Sequence, residues 1–321
     1  MRNPLSKTIE QIKPSGIRKF FDIVSEMPHA ISLGVGEPDF DTPWHVRSEG
    51  IRSLEKGRTF YTSNSGLIEL RQEICKWYQR KYNVLYDYKT EALLTVGGSE
   101  GIDVALRAML DPGDEVIIPE PCYVSYVPCV QLIGAVPVTI ELKNENQFRL
   151  TPEELLAAIT DKTKILILAF PSNPTGAVMT KEDLEPIAKI CQEKDIYVIS
   201  DEIYSELTYG GQKHCSISSL PGMKERTIVI NGFSKAYAMT GWRLGYALAP
   251  EVIAHQMTKI HQFAIMCAPT TSQYAAIEAI KNGDADIEKM CKSYDQRRRF
   301  LLKKFEEIGL PCFEPHGAFY V

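Results

Sequence analysis

From about residue 90, short runs of β-branched and aliphatic residues alternate with stretches whose apolar positions recur every three or four residues. "ALLTV" (92–96) precedes a helical pattern from Ser99 to Leu110. "DEVIIP" (114–119) leads to a helical stretch around 123–133. "AVPVTIEL" (135–142) leads to "TPEELLAAI", where Thr151 reads as an N-cap with Glu154 three positions on. "TKILILAF" (163–170) runs through "PSNPTG" to a helix around Lys181–Glu193, and "DIYVIS" (195–200), "RTIVIN" (226–231) and "RLGYALA" (243–249) follow. Runs that are apolar on both faces and separated by helices predict an α/β fold: a mostly parallel central sheet flanked by helices.

The two ends have a different texture. Residues 1–45 are rich in loops, and beyond about 285 a long helix leads to an extended "GAFYV". A chain of 321 residues exceeds what one core supports, roughly 250–300. The expected division is a large domain over 46–285 and a smaller lobe built from 1–45 and 286–321. The densest basic run, "QRRRFLLKKF" (296–305), places Phe300, Leu301 and Phe305 on one helix face with charges on the others, as in a solvated helix. With a net charge of −5, a pI near 5.8 and no basic stripe, nothing resembles a nucleic-acid footprint. Eight cysteines without a C-x-x-C pair, and no H-E-x-x-H, argue against a disulfide framework and a zinc site. The N-terminus has no apolar signal region, and no window reaches about 18 uninterrupted apolar residues. The expectation is a cytoplasmic protein.

Several stretches carry candidate chemistry, and each has an ordinary alternative. Lys235, in "NGFSKAYAMTGWRLGYALAP", has mostly apolar or small neighbours, among them Phe233, Ala236, Tyr237 and Met239, and Arg243 lies eight positions on. Taken alone it is a surface lysine. "GGSEG" (97–101) matches the G-x-S-x-G nucleophile elbow, yet small residues at a helix start equally make a phosphate seat. "GVGEPDFDTP" (34–43) lacks the third glycine of a dinucleotide fingerprint. Asn173 in "FPSNPTG" has the place of a turn residue, and Asp201 in "YVISDEIYSEL" that of a cap. Their convergence changes the weighing. Ser99, Asn173, Asp201 and Lys235 all follow predicted strands, on the edge where open α/β sheets bind ligands. A phosphate seat, an amide, a buried carboxylate and a lysine among apolar neighbours suit pyridoxal phosphate.

With these residues in place, the sequence resembles the class I/II aminotransferases of the aspartate/aromatic group, pyridoxal-phosphate enzymes of fold type I. The motifs, in the family's order, are "LGVGEPDFDTP", "YTSNSGLIELR", "GGSEGI", "EPCYVSY", "FPSNPTG", "SDEIYSEL", "FSKAYAMTGWRLGY" and "GAFYV". The resemblance implies that Lys235 is the Schiff-base lysine and that Asp201 holds the pyridine nitrogen. It implies that Asn173 and Tyr204 hydrogen-bond the phenolic oxygen, with Tyr204 counted among the catalytic groups, and that Tyr123 stacks on the ring. Gly98, Ser99, Ser234 and Arg243 are implied at the phosphate, and Glu100 at the cofactor beside them. Tyr61 is implied to reach the phosphate of the other subunit of a homodimer. Gly36, together with Asn173, is implied at the substrate. The implied activity is ping-pong transfer of an amino group between an L-amino acid and a 2-oxo acid. "SGIRKF" (15–20) and "SDEIYSELTY" (200–209) look most like a bacterial subgroup acting on aspartate, aromatic or diaminopimelate-type amines.

Family members continue past the "GAFYV" strand into a part that carries the arginine clamping the substrate α-carboxylate. This sequence stops at Val321, so the expectation is either part of a normal enzyme or a shortened form that binds cofactor and turns over poorly. The same cofactor residues would serve a carbon–sulfur β-lyase. A ligand-sensing regulator would need an added DNA-binding segment, and a serine hydrolase would need a histidine opposite Ser99.

Overall fold

Alternate residues of each strand enter opposite cores, and this period of two assembles the molecule around one sheet. The computed structural model describes residues 2–14 and 36–321, together with 23, 26, 27, 29 and 34. "SGIRKF" lies outside the described residues. The strands are β1 (Ala92–Thr95), β2 (Glu115–Glu120), β3 (Val136–Glu141), β4 (Thr163–Ala169), β5 (Tyr197–Asp201), β6 (Thr227–Gly232) and β7 (Gly245–Leu248). Among the described residues the helices are α1 (Lys7–Gln11), α2 (Trp44–Glu55), α3 (Ile68–Tyr82), α4 (Gly97–Met109), α5 (Tyr126–Leu132), α6 (Pro152–Ala158), α7 (Lys181–Glu193), α8 (Glu251–Ala264), α9 (Thr270–Asn282) and α10 (Asp284–Glu307).

The seven-stranded sheet has the order β1-β7-β6-β5-β4-β2-β3. Leu93, Ile165, Ile167, Ile228 and Ile230 pack with residues of α4, α5 and α8 on one face. Leu94 and Val229 pack with α3 and α9 on the other, and Leu166 and Leu168 join α6 and α7 there. β2 through β6 pair in parallel, as expected. β7 departs from the expected pattern and runs antiparallel to both neighbours, β1 and β6. β1 and β6 therefore share a direction, and the carboxyl ends of β1, β4, β5 and β6 gather on one edge. β7 follows β6 after a compact turn, with no crossover helix to return the chain, and this enforces reversal.

Local signals are realised as read. Thr151 and Glu154 form a reciprocal capping box on α6, and Thr180 and Asp183 form another on α7. α4 begins two residues before the expected Ser99, at Gly97. Of two expectations about the C-terminal part, the solvated helix at 296–305 is met and the extended "GAFYV" is corrected. In α10 the buried stripe is Ile287, Met290, Tyr294 and Arg298, while Phe300 and Leu301 are exposed. Arg298 replaces an apolar residue in that stripe because Asp295 at 2.9 Å and Glu314 at 2.8 Å pair with its guanidinium. "GAFYV" forms no strand. Gly317 makes a single bridge to Thr208, and Ala318 turns the chain with φ of 56°. The segments before α2 and in α10 meet directly: Phe40 packs edge-on to Tyr294 at 5.3 Å, and Arg297 donates to both Asp39 oxygens at 2.7 and 2.8 Å.

Candidate active site

The carboxyl edge of the sheet opens into a cavity of ≈960 Å³. It is lined by Gly36, Gly98, Ser99, Tyr123, Asn173, Asp201, Tyr204, Ser234, Lys235 and Arg243, ten residues proposed from sequence. Glu100 and Tyr61 do not line it. The Glu100 carboxylate accepts from the Val96 amide and from His261 Nδ1, at 2.5 and 2.6 Å, and so ties down the first turn of α4 from behind. Tyr61 is 80% exposed on the surface. Among the described residues, no histidine hydrogen-bonds Ser99, so the hydrolase arrangement is not assembled.

Lys235 is placed by its apolar neighbours. Phe233, Ala236, Tyr237 and Met239 are buried in the core, and the turn closes through Met239 N to Ser234 O at 3.1 Å. The lysine is thereby directed into the cavity, where Nζ donates to the Gly36 carbonyl at 2.5 Å. Burial is the largest influence on its pKa and lowers it; Arg243 acts in the same direction, while Glu37 and Asp201 oppose.

Asp201 ends β5, held between Ala169 and Ile230 of the neighbouring strands. Its Oδ1 accepts from Ile203 N at 3.1 Å, the local cap anticipated from sequence, and its Oδ2 accepts from Tyr126 Oη at 2.7 Å. The residue is 8% exposed. Burial raises its carboxyl, and the two hydrogen bonds pull it back. Tyr126 belongs to "EPCYVSY", a motif that by itself gives it no role. It lies three residues beyond Tyr123, at the start of α5, and the two rings meet edge-on at 5.6 Å. Removing its hydroxyl in Tyr126→Phe leaves the buried carboxylate one donor short. The expected loss is about 1–3 kcal/mol in the unloaded protein by urea unfolding.

The anion end of the cavity is built from glycines. Gly97 has φ of 75°, and a Cβ there would lie 2.8 Å from Arg243 Nη2. Gly245 is a residue that sequence reasoning missed: a Cβ on it would lie 2.6 Å from Gly97 C and 2.7 Å from Gly98 N. Its bare backbone lets the N-terminus of α4 rest directly on β7. Gly245→Val forces two backbones apart and is expected to cost about 1–3 kcal/mol. It is also expected to weaken cofactor binding more than tenfold, measured by thermal melting and pyridoxal-phosphate titration.

Tyr320, also missed, approaches from the C-terminal segment. Its hydroxyl lies 2.7 Å from that of Tyr204 and presses against Gly36, where a Cβ would overlap it. The Tyr204 hydroxyl is raised by burial, with Tyr320 adding to the effect.

The cavity thus presents a desolvated amine, a buried carboxylate and a guanidinium. Among the described residues Arg243 forms no ion pair; it donates to the Thr240 carbonyl at 2.9 Å. A cation without a counter-ion beside the free amides of a thirteen-residue helix calls for an anion. This donor set fits pyridoxal phosphate, with its aldehyde, basic ring nitrogen and phosphate. The family described as aminotransferase class I and II matches residues 28–321. The chain belongs to the class I and II aminotransferases.

Members of this aminotransferase family with similar sequences and structures agree. The aspartate aminotransferase of Pyrococcus abyssi is 46% identical over 99% of this chain and 82% of its own. The aromatic-amino-acid aminotransferase 2 of Thermococcus litoralis is 44% identical over 99% of this chain and 82% of its own. The structure of the Thermus thermophilus aspartate aminotransferase with maleate superposes with a TM-score of 0.94 at 38% identity, covering 99% of this chain and 84% of that one. The fold is fold type I, the cofactor is pyridoxal phosphate, and the reaction is transamination between an amino acid and a 2-oxo acid.

Proposed function

We propose the following division of labour among the residues of this aminotransferase, acting on aspartate, aromatic or related L-amino acids. The observation that carries it is Lys235 and Asp201 facing one cavity that Arg243, Gly98 and Ser99 also line, with Arg243 packed against Gly97 at the start of α4. When bound, the cofactor supplies an aldehyde for amines and a ring that draws electrons from the substrate Cα–H bond. Lys235 Nζ would hold that aldehyde and, when free, would be the base that carries the substrate Cα proton. Asp201, in a dry site, would keep the ring nitrogen protonated. Asn173 and Tyr204 would donate to the phenolic oxygen, and Tyr123 would cover the ring face. The Arg243 fork, Ser234 and the amides at Gly98 and Ser99 bind the phosphate, and Glu100 contributes by fixing the α4 turn. Gly36 and Asn173 meet the substrate carboxylate. Substrate class rests on the names of the relatives, which include aspartate and aromatic-amino-acid aminotransferases.

The same reading makes the protein a cytoplasmic homodimer in which Tyr61 serves the partner's phosphate. Phe60, Tyr61 and Phe263 are each at least 80% exposed, an apolar surface suited to burial against a second copy. All eight cysteines are free, in keeping with a reducing compartment, and among the described residues no helix is long and apolar enough to cross a membrane. The domain division proposed with it is a large domain over 46–285 and a smaller lobe from 1–45 and 286–321, much of 15–35 lying outside the described residues.

The test is to follow the absorbance of the loaded protein against a panel of amino acids, with 2-oxoglutarate as acceptor. Glutamate should accumulate; pyruvate and ammonia in its place would refute transfer in favour of elimination. Borohydride should fix the cofactor onto Lys235, and fixation elsewhere would overturn the residue assignments.

A further inference from the structure

Immediately after Asp201 comes a second carboxylate that the reaction scheme leaves unused. Glu202 is fully buried. Asp201 reaches Tyr126 on the α5 side of the sheet, whereas Glu202 turns to the α3 side. There Oε1 accepts from Ser200 Oγ at 3.1 Å and Ser216 Oγ at 2.5 Å, and Oε2 accepts from Tyr78 Oη at 3.0 Å. Ser218 completes the cluster, 2.8 Å from Ser216 Oγ and 3.1 Å from Tyr78 Oη.

The hydroxyls satisfy the carboxylate without neutralising it. The basic group facing it is His214, whose Nε2 lies 3.4 Å from Oε2 but lacks hydrogen-bond geometry. Among the described residues, the other ionisable groups shifted by Glu202 include Asp201, Tyr78 and Tyr82 of α3, Tyr86 beyond it, Tyr246 of β7 and Cys215, and none of these is a cation. A glutamine could still meet the three hydroxyls, its oxygen accepting from Ser200 and Ser216 and its amide N–H donating to Tyr78 Oη, so what distinguishes a carboxylate here is its charge, buried where solvent screens it little. Consistent with this, Glu202 adds to the upward pressure on the Asp201 carboxyl.

We propose that Glu202 is a positioning residue for transamination: a second buried carboxylate, behind Asp201, whose negative potential helps keep the cofactor's ring nitrogen protonated. The inference rests on the assignment of Asp201 to that nitrogen. The same potential favours the proton on the nitrogen joining Lys235 to the cofactor, which gives a readout independent of turnover.

The experiment uses the full chain loaded with pyridoxal phosphate and follows cofactor absorbance against pH in Glu202→Gln and Ser216→Ala. Losing the charge should move the absorbance midpoint of Glu202→Gln to lower pH by about half a unit or more. Its kcat should fall roughly three- to tenfold, with KM within about twofold, because the charge acts on the ring and not on substrate binding. Ser216→Ala removes a donor and keeps the charge, so its midpoint should match the wild type. An unshifted Glu202→Gln, or a Ser216→Ala shift as large, would overturn the proposal in favour of a purely geometric role. Should Glu202→Gln fail to fold, Glu202→Asp and Ser216→Ala decide: both keep the charge and must both keep the wild-type midpoint. A wild-type protein that borohydride does not fix at Lys235 would count against the residue roles above; a normal wild type with an unshifted Glu202→Gln counts against this inference alone.

Discussion

Lys235→Ala is expected to retain the fold and lose transamination by on the order of 10⁴-fold or more, since the proposed function makes one amine both attachment point and proton carrier. The side chain contributes little to packing: its neighbours Phe233, Ala236, Tyr237 and Met239 form the buried part of the turn, and among the described residues its Nζ meets the Gly36 carbonyl and the nearby rings of Tyr204 and Phe319. Thermal stability should therefore change little while activity disappears, and borohydride should no longer join cofactor to protein. Lys235→Arg separates charge from chemistry. It restores a cation but no nucleophile and should be as inactive as the alanine variant. The lowered pKa of Lys235 gives a further reading in the unloaded wild type. The neutral amine is the reactive form, so the rate of cofactor attachment should rise with pH and level off with a midpoint below the ordinary lysine value of 10.5. A midpoint at or above that value, or activity in Lys235→Ala within a hundredfold of wild type, would sink the assignment.

How far the sequence could be read depended on whether a feature was local. Strands β1 to β6, the caps at Thr151 and the four strand-end residues were all legible, because period, capping and turn chemistry act over a few positions. The direction of β7 was not, since "RLGYALA" has the same apolar run in either orientation. Gly245 and Tyr126 were likewise invisible as site residues. Each works through a group far off in the chain: Gly245 through Gly97 and Gly98, and Tyr126 through Asp201. Glu100 was placed at the cofactor from its position in "GGSEG", but its carboxylate is engaged by Val96 and His261, a partner 161 residues away. The buried stripe of α10 was not legible, because Arg298 occupies a core position, where its ion pairs make a guanidinium tolerable.

Asp201→Asn is the sharper test of the electrostatics. The amide is nearly the same size, and its oxygen can still accept from Tyr126 or Ile203, so strand β5 and its pairing to Ala169 and Ile230 should survive. What it cannot do is stabilise a positive ring nitrogen. Without that charge, electrons released at the substrate Cα have no sink, and kcat should fall on the order of 10²–10³-fold, the usual cost of removing one preorganised electrostatic partner. Cofactor affinity should change far less, because the phosphate site proposed above, at Arg243, Ser234 and the α4 amides, does not include Asp201. Asp201→Glu keeps the charge but pushes an extra methylene into a site closed by Tyr126 and should recover part of the rate. The decisive pattern is a large loss of kcat in Asp201→Asn, near-normal cofactor titration in both variants, and partial recovery in Asp201→Glu. If instead Asp201→Asn loses the cofactor while the bound fraction turns over normally, Asp201 is a scaffold for the site, and the proton on the ring nitrogen is held by another group.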